Sequence, residues 1–162
     1  MPVTTYLSLG SNIGDRAANL REAVEQLRSL GEIAAVSSFY ETEPIEYTEQ
    51  PWFLNCAVEL ETRLTPMPLL SGILEIEKQM GRHRGKKNGP RNIDLDILLY
   101  KNQVVDTPEL TIPHPAMTGR RFVLAPLAEI APGATHPVSK KTVRELLKTL
   151  GPGQEVRKIT AQ

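Results

Sequence analysis

One cysteine, Cys56, is the chain's whole supply of thiol, so no internal disulfide framework can brace it. It reads as a small buried apolar residue. Aromatic residues are sparse at 5%, with a single tryptophan, which speaks against a sheet that displays rings for base stacking. Net charge is also missing, because 19 Lys and Arg balance 19 Asp and Glu. A general nucleic-acid binder carries an excess of positive charge. No apolar run reaches membrane-spanning length, and no signal-peptide pattern follows Met1. The expectation is a cytoplasmic protein that takes neither nucleic acid nor membrane as partner. At 162 residues, with 40% hydrophobic and 23% charged content, the chain suits a single domain over 1–162 with a sizeable core.

The positive charge that is present is local. It crowds into Gly81-Arg-His-Arg-Gly-Lys-Lys-Asn-Gly-Pro-Arg91. Gly85 and Gly89 loosen this loop, and Pro90 stiffens its exit toward Arg91. Arginine's planar fork matches phosphate oxygens in two-point contact, so Arg82, Arg84 and Arg91 suit a small polyanion. Directly after it, Asn92-Ile-Asp-Leu-Asp-Ile-Leu-Leu-Tyr100 reads as an apolar strand interrupted by two carboxylates. Residues i and i+2 share a strand face, so Asp94 and Asp96 lie on one side and Ile93, Leu95, Ile97 and Leu99 on the other. Two like charges about 7 Å apart on a sheet need neutralising. Magnesium does this with one or two carboxylates plus substrate phosphates. The alternative for each feature is ordinary: a solvent-facing strand side, and a solvated surface turn.

Alternation predicts strands over 4–9, 33–40, 53–62 and 93–100, with a short strand over 103–105. Asp15 caps a helix that runs through Leu20, Ala23, Val24 and Leu27 to an end at Gly31. Thr65-Pro66 starts a second helix, with Leu69, Leu70, Ile73, Leu74, Ile76 and Met80 as its apolar face and Gly81 as its end. Short helices are expected over 117–127 and 142–150, and the polar tail 151–162 is expected to fray. The order β-α-β-β-α-β is the split βαβ pattern of an α+β, ferredoxin-like core with appended C-terminal helices and short strands. Its first and fourth strands are expected to be interior.

Three further features are ambiguous on their own. Glu77 falls inside the second helix's apolar stripe, which requires either a salt bridge at the stripe's edge or a ligand contact. His114 is held between Pro113 and Pro115, with Arg120 and Arg121 following, and suits a phosphate contact as well as a structural role. Gly10-Ser-Asn-Ile-Gly14 follows a strand and precedes a helix, but it lacks the lysine of a P-loop and reads as a structural turn.

Gly89-Pro-Arg-Asn-Ile-Asp-Leu-Asp-Ile-Leu98 resembles the signature of the 6-hydroxymethyl-7,8-dihydropterin pyrophosphokinase family. Ser8-Leu-Gly-Ser-Asn12, Val36-Ser-Ser-Phe-Tyr-Glu-Thr42, Gln50-Pro-Trp-Phe-Leu-Asn55 and Thr111-Ile-Pro-His114 resemble it as well, in order and spacing, over about residues 4–132. The resemblance implies diphosphate transfer from ATP to the pterin hydroxymethyl group, with AMP released, by a monomer of the folate pathway. It implies that Asp94 and Asp96 hold two magnesium ions, with Arg82 and Arg91 also catalytic. On the ATP side it implies Glu77, Arg82, Arg84, Arg91, Ile97, Thr111, His114 and Arg120. On the pterin side it implies Thr42, Pro44, Ile45, Asn55 and Asp94, with Phe53 and Phe122 sandwiching the ring. No protein nucleophile is needed, since phosphoryl transfer rests on positioning and charge neutralisation. Two positions depart from the pattern: Asn88 stands where some members carry tryptophan, and Glu109 where some carry a basic residue. The rival readings are another magnesium-dependent nucleotidyl or phosphoryl transferase and an RNA-recognition module of the same βαββαβ order.

Overall fold

Nine residues form β1 (Val3–Ser11), whose C-terminal half is continuously buried, serines included, with a strand flanking it on each side. In the computed structural model, which describes residues 1–44, 49–81, 92–151 and 153–159, α1 (Arg16–Leu27) follows. Asp15 caps it, its carboxylate accepting from the Ala18 amide at 3.1 Å. The helix stops at Leu27 rather than Gly31. Gly31 instead lies against the backbone of Glu61, where a Cβ would collide with the Glu61 carbonyl.

The strand expected over 33–40 is two strands, β2 (Glu32–Val36) and β3 (Phe39–Thr42). Both pair with β4 (Phe53–Thr62). The break falls at Ser37, whose hydroxyl accepts from the Ala57 amide at 2.8 Å and donates to the Ser38 carbonyl. A side chain thus replaces one rung of the backbone ladder. α2 (Pro66–Gln79) starts on proline as expected, although Thr65 makes no side-chain capping bond. It buries Leu69, Ile73, Ile76 and Glu77, while Leu74 is 42% exposed. Gly81, at φ 77°, closes it.

β5 (Asp94–Tyr100) pairs antiparallel with β1. The register slips between Tyr6 and Leu7, which leaves Leu98 as an extra, bulged residue. The expected face of Ile93, Leu95, Ile97 and Leu99 therefore breaks: Leu98 and Leu99 both join one core, while Ile97 and Tyr100 join the other. β6 (Val105–Asp106) and β7 (Thr111–Ile112) form a separate hairpin. A 3-10 turn at Met117–Gly119 leads into α3 (Arg121–Ile130), and α4 (Val143–Thr149) carries a capping box between Thr142 and Glu145. The tail expected to fray contains β8 (Val156–Ile159), which pairs with β3.

The sheet order is β5-β1-β4-β3-β8, with β2 also on β4. This is a ferredoxin-like α+β core, but the expectation of an interior fourth strand is corrected: β1 and β4 are interior and β5 ends the sheet. One core joins Leu7, Leu9, Cys56 and Val58 of the sheet to Leu20 and Leu27 of α1 and Leu69 and Ile73 of α2. The other joins Ala57, Leu98 and Leu99 to Val123, Leu124 and Leu127 of α3 and Val143 and Leu146 of α4. Burial pushes the Cys56 thiol up to about 12, so it is an inert core residue as expected. Among the described residues no helix is long and apolar enough to cross a membrane.

Candidate active site

The register of three strands builds the site. Gly10 of β1 lies opposite Asp94 of β5 on one side and Asn55 of β4 on the other. Asn55 in turn faces Tyr40, and Phe53 faces Thr42. Two residues along, Ser8 lies between Asp96 and Ala57. Side chains on one face of a sheet recur every second residue, so Asp94, Asp96, Asn55, Phe53 and Thr42 share a face. Two interstrand steps separate Asp94 from Asn55, about 9–10 Å, which suits a bicyclic heterocycle between them. α3 packs over the Ala57 end of this face. The other end carries the polar row, with Phe53, Asp94 and Asp96 half-buried.

Asn55 is 4% exposed and its carboxamide is fixed. The Thr42 hydroxyl donates to Asn55 Oδ1 at 2.6 Å, and Asn55 Nδ2 donates to the Leu9 carbonyl at 3.3 Å. Gly10 makes this possible, because a Cβ there would lie 2.6 Å from Asn55 Nδ2 and 3.6 Å from a Phe53 ring carbon. Gly10 is expected in a turn from its neighbours in the sequence, yet it belongs to β1. A glycine inside a strand pattern is the signal that marks such a close approach.

On the β5 side, Glu77 is 5% exposed and accepts from the Leu95 amide at 2.8 Å. It therefore holds the backbone between the two aspartates. The His114 amide donates to the Leu98 carbonyl at 3.0 Å, which docks its loop against β5. His114 Nδ1 accepts from the Ala116 amide at 3.2 Å, and Nε2 lies 3.9 Å from Asp96 Oδ1. Burial first, and then the Arg120 charge, hold the imidazole below its usual pKa, with Asp94 pulling the other way. The Arg120 guanidinium lies over the Phe122 ring, 5.5 Å from its centroid. Arg120 thus spans from the His114 cluster to the ring expected on the pterin side.

The structure therefore brings Thr42, Phe53, Asn55, Asp94 and Asp96 onto one face. Glu77 and His114 sit against β5, and Arg120 and Phe122 stand at the entry to α3. Pro44 is buried just beyond β3. Thr111 is exposed on β7, which packs against β5. The side chain of Ile97, 4% exposed, lies in the α1/α2 core on the opposite face, which leaves its backbone for any nucleotide contact. Arg82, Arg84, Arg91, Ile45 and Asn88 lie outside the described residues. Among the described residues no group of three or more His, Cys, Asp or Glu gathers for an all-protein metal cage. The paired carboxylates instead fit a hard cation that takes its remaining oxygens from phosphate and water.

The family model for 7,8-dihydro-6-hydroxymethylpterin-pyrophosphokinase (HPPK) matches residues 6–132. A 2-amino-4-hydroxy-6-hydroxymethyldihydropteridine pyrophosphokinase of Aquifex aeolicus is 43% identical over 142 residues, covering 88% of this chain and 89% of that one. The protein of the same name from Bacillus subtilis is 50% identical over 127 residues, covering 77% and 76%. A solved Plasmodium falciparum HPPK-DHPS chain, wild type with pterin and p-hydroxybenzoate, superposes with a TM-score of 0.71 at 20% identity. That match covers 91% of this chain and 43% of the solved one, so the chain spans under half of the structure whose fold it shares. With the matched region holding the whole β5–β1–β4 row, the chain belongs to the 7,8-dihydro-6-hydroxymethylpterin-pyrophosphokinase family.

Proposed function

We infer that this chain transfers diphosphate from ATP to 6-hydroxymethyl-7,8-dihydropterin, releasing AMP, in folate biosynthesis. The observation that carries the reading is the row Asp94–Gly10–Asn55: carboxylates for a cation at one end and a fixed carboxamide at the other. Asn55 presents both a donor and an acceptor edge, which a pterin ring requires. Phe53 and Phe122 supply two π-faces for the flat heterocycle. Thr42 sets the orientation of the Asn55 amide, and Pro44 and Ile45 would contact the rest of the pterin.

Asp94 and Asp96 would hold magnesium, in a pair of ions, and Asp94 also stands beside the pterin. Bound magnesium supplies charge neutralisation at the phosphates and a lower pKa for the substrate hydroxyl. The chain itself does the rest by positioning. Glu77 fixes the Leu95 amide and hence the spacing of the two carboxylates. His114, kept neutral, offers its ring N–H to phosphate oxygen rather than competing for the cation. Arg120, Thr111 and the arginines Arg82, Arg84 and Arg91 pair with the polyphosphate. The hydroxymethyl oxygen forms a bond to the β-phosphorus, the bridge from the β-phosphorus to the α-phosphate oxygen breaks, and the proton passes to solvent. All of these groups come from one chain, and the reading is of a monomer.

The test is direct. Folded protein with ATP, magnesium and 6-hydroxymethyl-7,8-dihydropterin should produce AMP in step with pterin diphosphate. No AMP under those conditions, or ADP in its place, overturns the assignment.

A further inference from the structure

The family match ends at residue 132, yet the chain returns to the site after it. β8 lays Val156–Ile159 along β3 in antiparallel register, with Val156 opposite Thr42 and Phe39 opposite Ile159. β3 would otherwise be the edge of the sheet, and an edge strand is held by one ladder only. Beside this ladder, the Glu43 amide donates to the Glu155 carbonyl at 3.1 Å, and the Glu155 amide donates back to Glu43 Oε1 at 2.7 Å. The Gln154 side chain donates to the Glu43 carbonyl as well. Three contacts therefore fix the residue between Thr42 and Pro44.

Trp52, before β4, is fixed by Arg157. Its guanidinium lies over the Trp52 ring, 4.6 Å from the centroid, and its Nη2 donates to Glu41 Oε1 at 3.2 Å. The second Glu41 oxygen takes Arg16 Nη2 at 3.0 Å. Arg16 Nη1 donates to the Trp52 carbonyl at 2.9 Å. Trp52 is thus held by its ring and by its backbone, through two arginines joined by one carboxylate. Its neighbour in the chain is Phe53.

We propose that β8, through Arg157, is a positioning element for the pterin half of the site: it holds Glu43 and Trp52 and so sets Thr42, Pro44 and Phe53. The proposal rests on the pterin reading given above. Arg157 touches no substrate and acts through Trp52 and Glu41. The nucleotide half lies on β5, with three strands between it and β8 in the order β5-β1-β4-β3-β8. The clamp therefore separates the two substrates energetically. Arg157 is 57% exposed, so its charge alone contributes little. What matters is its planar face on the indole, a geometry that lysine lacks.

The experiment uses the full chain with Arg157→Ala and Arg157→Lys. Trp52 is the single tryptophan, so its emission reports the clamp directly. Arg157→Ala should shift Trp52 emission to the red and raise KM for the pterin about fivefold, from the lost stacking. KM for ATP should stay within about twofold, since the nucleotide half is remote in the sheet. Arg157→Lys should keep the Glu41 pairing but not restore the emission or KM of the parent. Unchanged pterin KM with shifted emission overturns the proposal, as does an equal rise in both KM values. If the parent chain itself forms no AMP, it is the activity assignment that fails, and unshifted Trp52 emission in Arg157→Ala would then overturn the clamp on its own.

Discussion

Gly10→Ala is the sharpest probe of the polar row. A Cβ at position 10 would stand 2.6 Å from Asn55 Nδ2, whereas ordinary contact begins near 3.4 Å. The carboxamide must therefore yield by about 0.8 Å. It cannot do so freely, because Thr42 holds Oδ1 at 2.6 Å and the Leu9 carbonyl holds Nδ2 at 3.3 Å. Rotating or withdrawing the amide breaks one or both bonds in a residue that is 4% exposed. Leaving one such buried group unpaired costs about 1–3 kcal/mol. In a chain of this size a loss of about 2 kcal/mol lowers Tm by roughly 4–8 °C. The same displacement moves the edge proposed to read the pterin, and pterin affinity should fall about 10–100-fold. ATP affinity should hold, since the β5 contacts of Glu77 and His114 do not involve Asn55. Calorimetric titration with each ligand measures both, and a thermal melt measures the first term. The decisive comparison is made in an Asn55→Ala background, where the methyl has room. There Gly10→Ala should add almost nothing to the loss of pterin affinity. A full additional loss in that background would show that Asn55 is not the route, and the reasoning would fail.

Three other outcomes are expected. Asp96→Ala should slow AMP formation about a thousandfold or more while the melt stays within a few degrees, because a half-buried carboxylate is removed from a strand whose core lies on its other face; a rate within tenfold of the parent contradicts its role. Phe122→Ala should weaken the pterin about tenfold and ATP less, as one π-face is lost, although Arg120 loses its stacking partner too; equal losses measured by titration contradict the sandwich. His136, 8% exposed, accepts the Val138 and Ser139 amides on Nδ1, and burial holds its pKa down. The unfolded chain takes up that proton below about pH 6.5 while the folded chain resists, so stability is complete above that pH and drains away on acidification. Melts from pH 7 to 5 should therefore show Tm falling, by up to about 1.4 kcal/mol of stability per pH unit. His136→Asn, whose side-chain oxygen can accept the same amides, should flatten part of that slope; an unaltered slope would assign it elsewhere.

Much of this is legible in the sequence because it is local. Alternation marks β1, β4 and β5, and the helices show by their spacing and their ends. The aspartate pair is visible because carboxylates at alternate positions of an apolar strand cost energy that a bound cation offsets. What stays hidden depends on partners far along the chain. The break at Ser37 leaves no turn signal, since a serine hydroxyl bonded to Ala57 replaces a ladder rung. β8 reads as tail because Val156-Arg-Lys-Ile159 does not alternate, and its partner strand lies more than 110 residues earlier. The bulge at Leu98 reverses the face of Leu99 without changing a single residue type. Gly10 looks like turn material because its reason, the amide of Asn55, sits on a strand that follows 43 residues later.

The misplaced fourth strand carries the most consequence. An interior β5 would spend its outer amides and carbonyls on another strand. As the last strand of the sheet among the described residues it keeps them, and two candidate site residues use them: Glu77 accepts from the Leu95 amide, and the His114 amide donates to the Leu98 carbonyl. Those two bonds bracket Asp96 from either side along the chain. They turn what would be a sheet edge, normally a hazard for stray pairing, into the mount for the two carboxylates proposed to hold magnesium. The edge also lets a side-chain carboxylate and a loop approach from beyond the sheet, which a flanking strand would prevent. The opposite end of the sheet solves the reverse problem. There β8 covers β3, so Thr42, which fixes the Asn55 amide, is held by a ladder rather than left at an edge. Among the described residues, the proposed nucleotide half is thus built on the strand that ends the sheet and the proposed pterin half beside a covered one, with Gly10 on the strand between Asp94 and Asn55.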